Sequence, residues 1–153
     1  MPDRLPVAVI GAGIAGLACA AALRHAGFAV EVFEKSRGLG GRIATRRVDG
    51  LSFDHGAQYA TARGPALLGL MRELTSAGAV SEWRPTIRDL RMADDGGKTG
   101  GGAGGGDDGE SRDTWFVGTP AMNAMVKPMA DGLTIHRRSR VIDLRRTGGG
   151  WQC

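Results

Sequence analysis

A few glycines, one acid and one arginine carry the chemistry that can be read from this chain. Gly11, Gly13 and Gly16 have the G-x-G-x-x-G spacing of a dinucleotide-binding turn. Gly11 permits a tight turn, Gly13 leaves no side chain between the backbone and a pyrophosphate, and Gly16 lets a helix approach its strand closely. Ile14 and Ala15 open the helix that follows, whose first N–H groups and positive dipole end face a bound phosphate. Glu34 lies eighteen residues beyond Gly16. There a carboxylate can accept hydrogen bonds from ribose hydroxyls and repels a 2′-phosphate.

The elements that must hold these residues are legible around them. Val7-Ala8-Val9-Ile10 is a short apolar run suited to a strand buried on both faces of a parallel sheet. An alanine-rich helix is expected from about Ile14 to Ala26, with Gly27 as its C′ residue. A second strand, Phe28 to Phe33, delivers Glu34. This order predicts an α/β fold: a Rossmann-like domain, a parallel sheet with helices on both faces. The uncharged stretch from Leu5 to Leu23 also invites a membrane-span or signal-peptide reading. Three glycines within six residues, each costing a helix roughly 1 kcal/mol relative to alanine, and a second strand downstream argue against it.

Two further motifs follow. Ser36-Arg37-Gly38-Leu39-Gly40-Gly41-Arg42 places a second glycine pair and an arginine eight residues after the acid. A guanidinium there can bind phosphate oxygens bidentately; the plainer alternative is a flexible loop with a solvated arginine. Phe53-Asp54-His55-Gly56-Ala57-Gln58-Tyr59 is the third motif. For His55 packing beside the motif weighs at least as much as catalysis, and Asp54 could equally be a turn-forming carboxylate.

With VIGAGIAGL and Glu34, LGGR and FDHGAQY in this order, the chain resembles the N-terminal FAD-binding region of flavin-dependent amine oxidases. It resembles more closely the renalase-like NAD(P)/FAD-dependent oxidoreductases of bacteria. The resemblance implies FAD as cofactor, although the glycine turn alone would admit NAD. It implies that Gly11, Gly13, Ile14, Ala15 and Gly16 cradle the diphosphate, and that Glu34, followed by Lys35, holds the adenosine ribose. Gly41, Arg42, Gly56, Ala57 and Gln58 would lie against diphosphate and flavin, and the backbone of Val141 would meet the adenine. The implied activity is oxidation of an amine or a reduced nicotinamide by hydride transfer to flavin. No catalytic acid or base is assigned. Family members run on for about as many residues again, which implies a missing C-terminal half that completes the flavin site. The rival reading is a non-catalytic nucleotide-binding module.

The chain has 153 residues, 42% hydrophobic and 24% charged, a composition of globular proteins. With Cys19 and Cys153 alone there is neither a disulfide framework nor a metal-ligand spacing, and a cytoplasmic setting is the default. Cys19 is expected to pack as a small apolar side chain. Pro65 to Ala77 reads as an amphipathic helix with Leu67, Leu70, Met71 and Leu74 on one face. Ala79 to Leu90 reads as a strand with Trp83 in the core, and Thr114 to Gly118 as its return across a disordered glycine-rich tip, 94–113. Thr119-Pro120 signals a helix start, with Met122, Met125, Val126 and Met129 as a core stripe and Pro128 shortening it. Strands are expected over LTIH and RVIDLRR near the end. Their arginines, Arg137, Arg138, Arg140, Arg145 and Arg146, should diverge to opposite faces as solvated surface. A nucleic-acid partner and a membrane are therefore not expected; a small-molecule substrate is. The domain reading is 1–62 with 132–153 for the dinucleotide domain, incomplete, and 63–131 for part of a substrate domain.

Overall fold

The computed structural model describes residues 5–84 and 114–153. A three-stranded parallel sheet holds the glycine turn: β1 (Val7–Ile10), β2 (Val30–Glu34) and β8 (Thr134–Arg137), in the order β1-β2-β8. Val7 pairs with Val30 and Ile10 with Phe33, while Glu31 pairs with Thr134 and Glu34 with Arg137. Helix α1 (Ile14–His25) makes the right-sized crossover between β1 and β2. Its Leu17 and Ala20 are fully buried, as is Val32 of β2. Gly27 takes φ 84° just past the helix, the left-handed C′ conformation its sequence position foretells. Along β1, however, Ala8 and Ile10 are exposed, Ile10 at 53%. The apolar run suggests burial on both faces; here β1 is the edge strand, and alternate residues face outward.

A hairpin joins β3 (Thr45–Val48) to β4 (Leu51–Asp54). Its two connecting residues, Asp49 and Gly50, both have positive φ, 50° and 78°. An Asp-Gly pair between strands is a strong local signal for such a turn. A third sheet, order β5-β7-β6, is antiparallel and contains β5 (Ala60–Ala62), β6 (Val80–Trp83) and β7 (Thr114–Gly118). β6 and β7 pair from Val80↔Gly118 to Trp83↔Trp115, as the flanking strands of an excursion should. The glycine-rich tip, 94–113, and the remainder of the expected strand to Leu90 lie outside the described residues. Trp83 is not a core residue: it is 39% exposed and meets Trp115 edge-on, while Tyr59 stacks on Trp115 with centroids 4.2 Å apart.

Helix α2 (Pro65–Ser76) starts with its proline in the first turn and buries Met71 and Leu74. After β7 the expected helix is instead two 3₁₀ segments, Met122–Val126 and Pro128–Ala130. Pro128 has no N–H for the Ala124 carbonyl and its ring would crowd it, so an α-helix cannot run through. Nor does Thr119 cap the start. The Met122 N–H donates to the Asp54 carboxylate at 3.2 Å and the Asn123 N–H to Thr45 Oγ1 at 3.3 Å. The cap thus comes from the β3–β4 hairpin. The methionine stripe is core as expected: Met122, Met125 and Val126 are at most 1% exposed and pack with Leu17, Val32 and Met129. Cys19, by contrast, is exposed on α1; its helical phase turns it away from Leu17 and Ala20. Toward the end, RVIDLRR does not form one strand. Residues 141–144 are irregular, and β9 (Arg145–Thr147) turns back into β10 (Gly150–Gln152) as a short hairpin.

Candidate functional site: a dinucleotide cradle

The three motifs, separated by up to 47 residues, meet in one place. Gly11 has φ 98°, which a side chain would resist. Gly13 has φ −80°, and a Cβ built on it would find no atom nearer than 3.9 Å. Packing within the protein therefore does not demand a glycine here, and the space beside its Cα is open. A Cβ on Gly16 would be driven into the Gly11 carbonyl oxygen. The Gly40 N–H donates to the Ala12 carbonyl at 2.9 Å, and Gly13 and Gly40 form a parallel bridge. Gly41 and Arg42 lie in the 3₁₀ turn Gly41–Ile43. The Arg42 carbonyl in turn accepts the Ala57 N–H at 2.8 Å, and a Cβ on Gly56 would strike that same carbonyl oxygen. Backbone contact thus links the glycine turn to LGGR and LGGR to HGAQ.

Helix α1 begins with Gly13 as an uncapped N-cap and has no acidic residue in its first turn. The first N–H groups of a helix lack partners within it, so Ile14, Ala15 and Gly16 present donors and an uncompensated dipole to an anion. Lys35, Arg42 and Gln58 are exposed, and Val141 is half-buried in the irregular stretch beyond β8.

Glu34 is the buried charge of the site, 6% exposed. Its Oε2 accepts the Ala12 N–H at 2.8 Å and its Oε1 the Ser36 N–H at 2.7 Å. Burial alone would raise its pKa. The backbone N–H groups of Ala12 and Ser36, the Ser36 hydroxyl and the Lys35 charge outweigh that and hold it below its ordinary value. This clamp between the end of β2 and the glycine turn is a role the sequence reading misses; spacing alone locates the acid but not its partners. The second lone pairs of both oxygens remain as acceptors. Because the folded state lowers this pKa, the carboxylate contributes stability above its unfolded value, about 4.3, and loses it as pH falls through the folded value. Unfolding stability should therefore drop below about pH 4.5, and Glu34→Gln should flatten that part of the profile in a denaturant titration. An unchanged slope in the variant would refute the clamp.

The residues present fit a dinucleotide: an open face at Gly13, unpaired helix N–H groups and an ionised acceptor beside them. Comparison with known proteins agrees. Residues 9–74 match the family model of the NAD(P)-binding Rossmann-like domain. The parallel β1-α1-β2 unit with its glycine turn is the Rossmann-like fold that this match describes. A zeta-carotene-forming phytoene desaturase of Myxococcus xanthus is 54% identical over 50 residues, 33% of this chain and 10% of that protein. A 4,4′-diapophytoene desaturase of Staphylococcus aureus strain Newman is 46% identical over 52 residues, 34% of this chain and 10% of that one. A solved structure of a redesigned putrescine oxidase shares 37% identity, with a TM-score of 0.45, over 54% of this chain and 18% of its own. The Rossmann-like domain thus matches about a tenth of the length of the curated relatives. Among the described residues no helix is long and apolar enough to cross a membrane.

Proposed function

We propose that the Rossmann-like domain binds FAD and belongs to an oxidoreductase of the amine-oxidase and renalase-like type, which oxidises an amine or a reduced nicotinamide. The observation that carries this is the backbone joining of the three motifs, Gly40 to Ala12 and Ala57 to Arg42. A plain NAD-binding turn needs only the first of them. A bound flavin supplies the hydride-accepting chemistry. The chain's own residues bind and orient. The N–H groups of Ile14 and Ala15 receive the diphosphate, the bare Cα of Gly13 lets it approach, and the Arg42 guanidinium can pair with its oxygens. Glu34, kept ionised, accepts ribose hydroxyls and disfavours a 2′-phosphate by charge repulsion.

The test is retention of flavin absorbance by purified, desalted chain after incubation with FAD, with NAD as competitor. Wild type should retain FAD and resist NAD. Gly13→Val, whose backbone φ is ordinary, should melt like wild type yet bind FAD about a hundredfold more weakly, since its side chain fills the phosphate approach. Folded wild type that retains no flavin would overturn the reading.

A further inference from the structure

We propose that a groove beside the cradle is a second anion site, built for a phosphorylated small molecule that also carries hydroxyl groups. The groove has a volume of about 800 Å³ and is lined by Arg37, Arg46, Arg47, Lys127, Arg137 and Arg138. These six cations come from four separate stretches of chain: the loop after β2, strand β3, the link between the two 3₁₀ segments and the end of β8. Among the described residues no carboxylate lines the groove with them. Among the described residues none of the six has an acid within ion-pair reach; the ion pairs there are Arg84–Glu82, His136–Glu31 and Arg145–Asp143. Like charges gathered around one volume repel one another, and a polyanion is the ligand class that relieves this. Guanidinium groups bind phosphate oxygens in bidentate fashion.

The backbone is shaped to assemble this lining. Successive residues of a strand point to opposite faces, which would part Arg137 from Arg138. Instead Arg138 takes φ 58°, an uncommon conformation for a non-glycine residue. It is held there by donation of its N–H to the Ser36 carbonyl at 3.1 Å, and the Ser139 N–H donates to the Glu34 carbonyl at 2.9 Å. Both arginines consequently line the groove instead of diverging to opposite faces, while staying exposed as expected.

A second, independent feature gives the ligand its other half. Asn123 lines the groove and its Oδ1 is buried with no hydrogen-bond partner. Buried polar atoms are rarely left so. A ligand hydroxyl would satisfy it once the side-chain amide rotates to bring Oδ1 to the groove wall. The size suits a small molecule. Among the described residues the lining holds no Phe, Tyr or Trp and a single imidazole, His55, less than the succession of stacking rings that single-stranded nucleic acids use. The groove adjoins the cradle and shares the Ser36–Gly41 loop and His55 with its motifs, but of the residues expected to touch the dinucleotide Gly41 alone is in its lining. The inference stands whether or not FAD binds at Gly13.

The experiment is isothermal titration of the 153-residue chain with inorganic tripolyphosphate and with ribose 5-phosphate, melting temperatures being checked in parallel. Both probes should bind wild type, and Gly13→Val should bind them as well as wild type does. Arg46→Gln with Arg137→Gln should weaken both at least about tenfold, whereas Arg145→Gln, outside the groove, should change neither. Asn123→Ala should weaken ribose 5-phosphate and spare tripolyphosphate. Failure of wild type to bind either probe would overturn the proposal. So would unchanged affinity in the double variant, or loss of binding in Gly13→Val, which would return the anion to the cradle. Displacement of both probes by a single-stranded oligonucleotide with steep salt dependence would overturn it in favour of nucleic acid.

Discussion

Gly16→Ala should destabilise this protein by about 3 kcal/mol, the upper part of the range for a methyl forced into filled space. The position lies in the first turn of α1, where alanine is intrinsically the better helix former, so propensity alone predicts the opposite sign. The geometry decides. A Cβ at Gly16 would be driven into the carbonyl oxygen of Gly11, with the Val9 side chain 3.6 Å away. Neither neighbour can step aside cheaply. Gly11 is fixed in its left-handed turn, with its N–H donated to the Phe33 carbonyl at 2.8 Å. Relief requires the helix to lift from the sheet, which opens the contacts of Leu17 and Ala20, both fully buried. Against a typical total of 5–15 kcal/mol, such a loss depopulates the native state measurably. Gly69→Ala, inside α2 with nothing within 4 Å of the new Cβ, is the matched control and should gain about 0.5–1 kcal/mol. Urea unfolding followed by circular dichroism reads both. Equal midpoints for the two variants would show that Gly16 is not a packing glycine.

The second large effect is expected at Glu34, where one substitution should reduce stability and nucleotide affinity together. Glu34→Ala leaves the Ala12 N–H without an acceptor in a residue that is fully buried. An unsatisfied buried donor costs about 1–3 kcal/mol. The Ser36 N–H loses its partner as well but lies in an exposed residue, where water replaces it. On the binding side, hydrogen bonds from ligand hydroxyls to an ionised carboxylate are worth about 1.5–3 kcal/mol, so affinity for FAD should fall roughly tenfold to a hundredfold. Glu34→Gln should fall between, since the amide keeps one acceptor oxygen but turns a donor toward an N–H. Measuring unfolding free energy and flavin retention on the same preparations separates the two roles. A variant that loses affinity without losing stability would leave ribose recognition and remove the clamp. Loss of stability with unaltered affinity would do the reverse.

What the sequence determined by itself is the part governed by short-range rules. Strand, turn, helix and strand from Val7 to Glu34 follow from an apolar run, glycine spacing and an alanine-rich segment closed by Gly27, and all four elements form within a few residues of where these place them. The amphipathic stripe of α2 and the buried methionines after Pro120 belong to the same class. The grouping of three motifs could be inferred from sequence through family resemblance, because their backbone contacts leave no periodicity in the chain. Tertiary structure decided the rest. The start of the 3₁₀ segment at Met122 is capped by Asp54, 68 residues earlier, and no local signal at Thr119-Pro120 encodes a partner so remote. Glu34 was found by spacing, but its clamp on Ala12 depends on how far β2 is buried against the turn. The six cations around the groove are two adjacent arginine pairs, one further arginine and a lysine spread over a hundred residues, and no local pattern joins them. They become a site because parallel pairing of β8 with β2 carries Arg137 and Arg138 to the loop that holds Arg37, and because the β3–β4 hairpin turns Arg46 and Arg47 toward it. Periodicity fixes which face of an element is apolar; only pairing and packing fix which charges become neighbours.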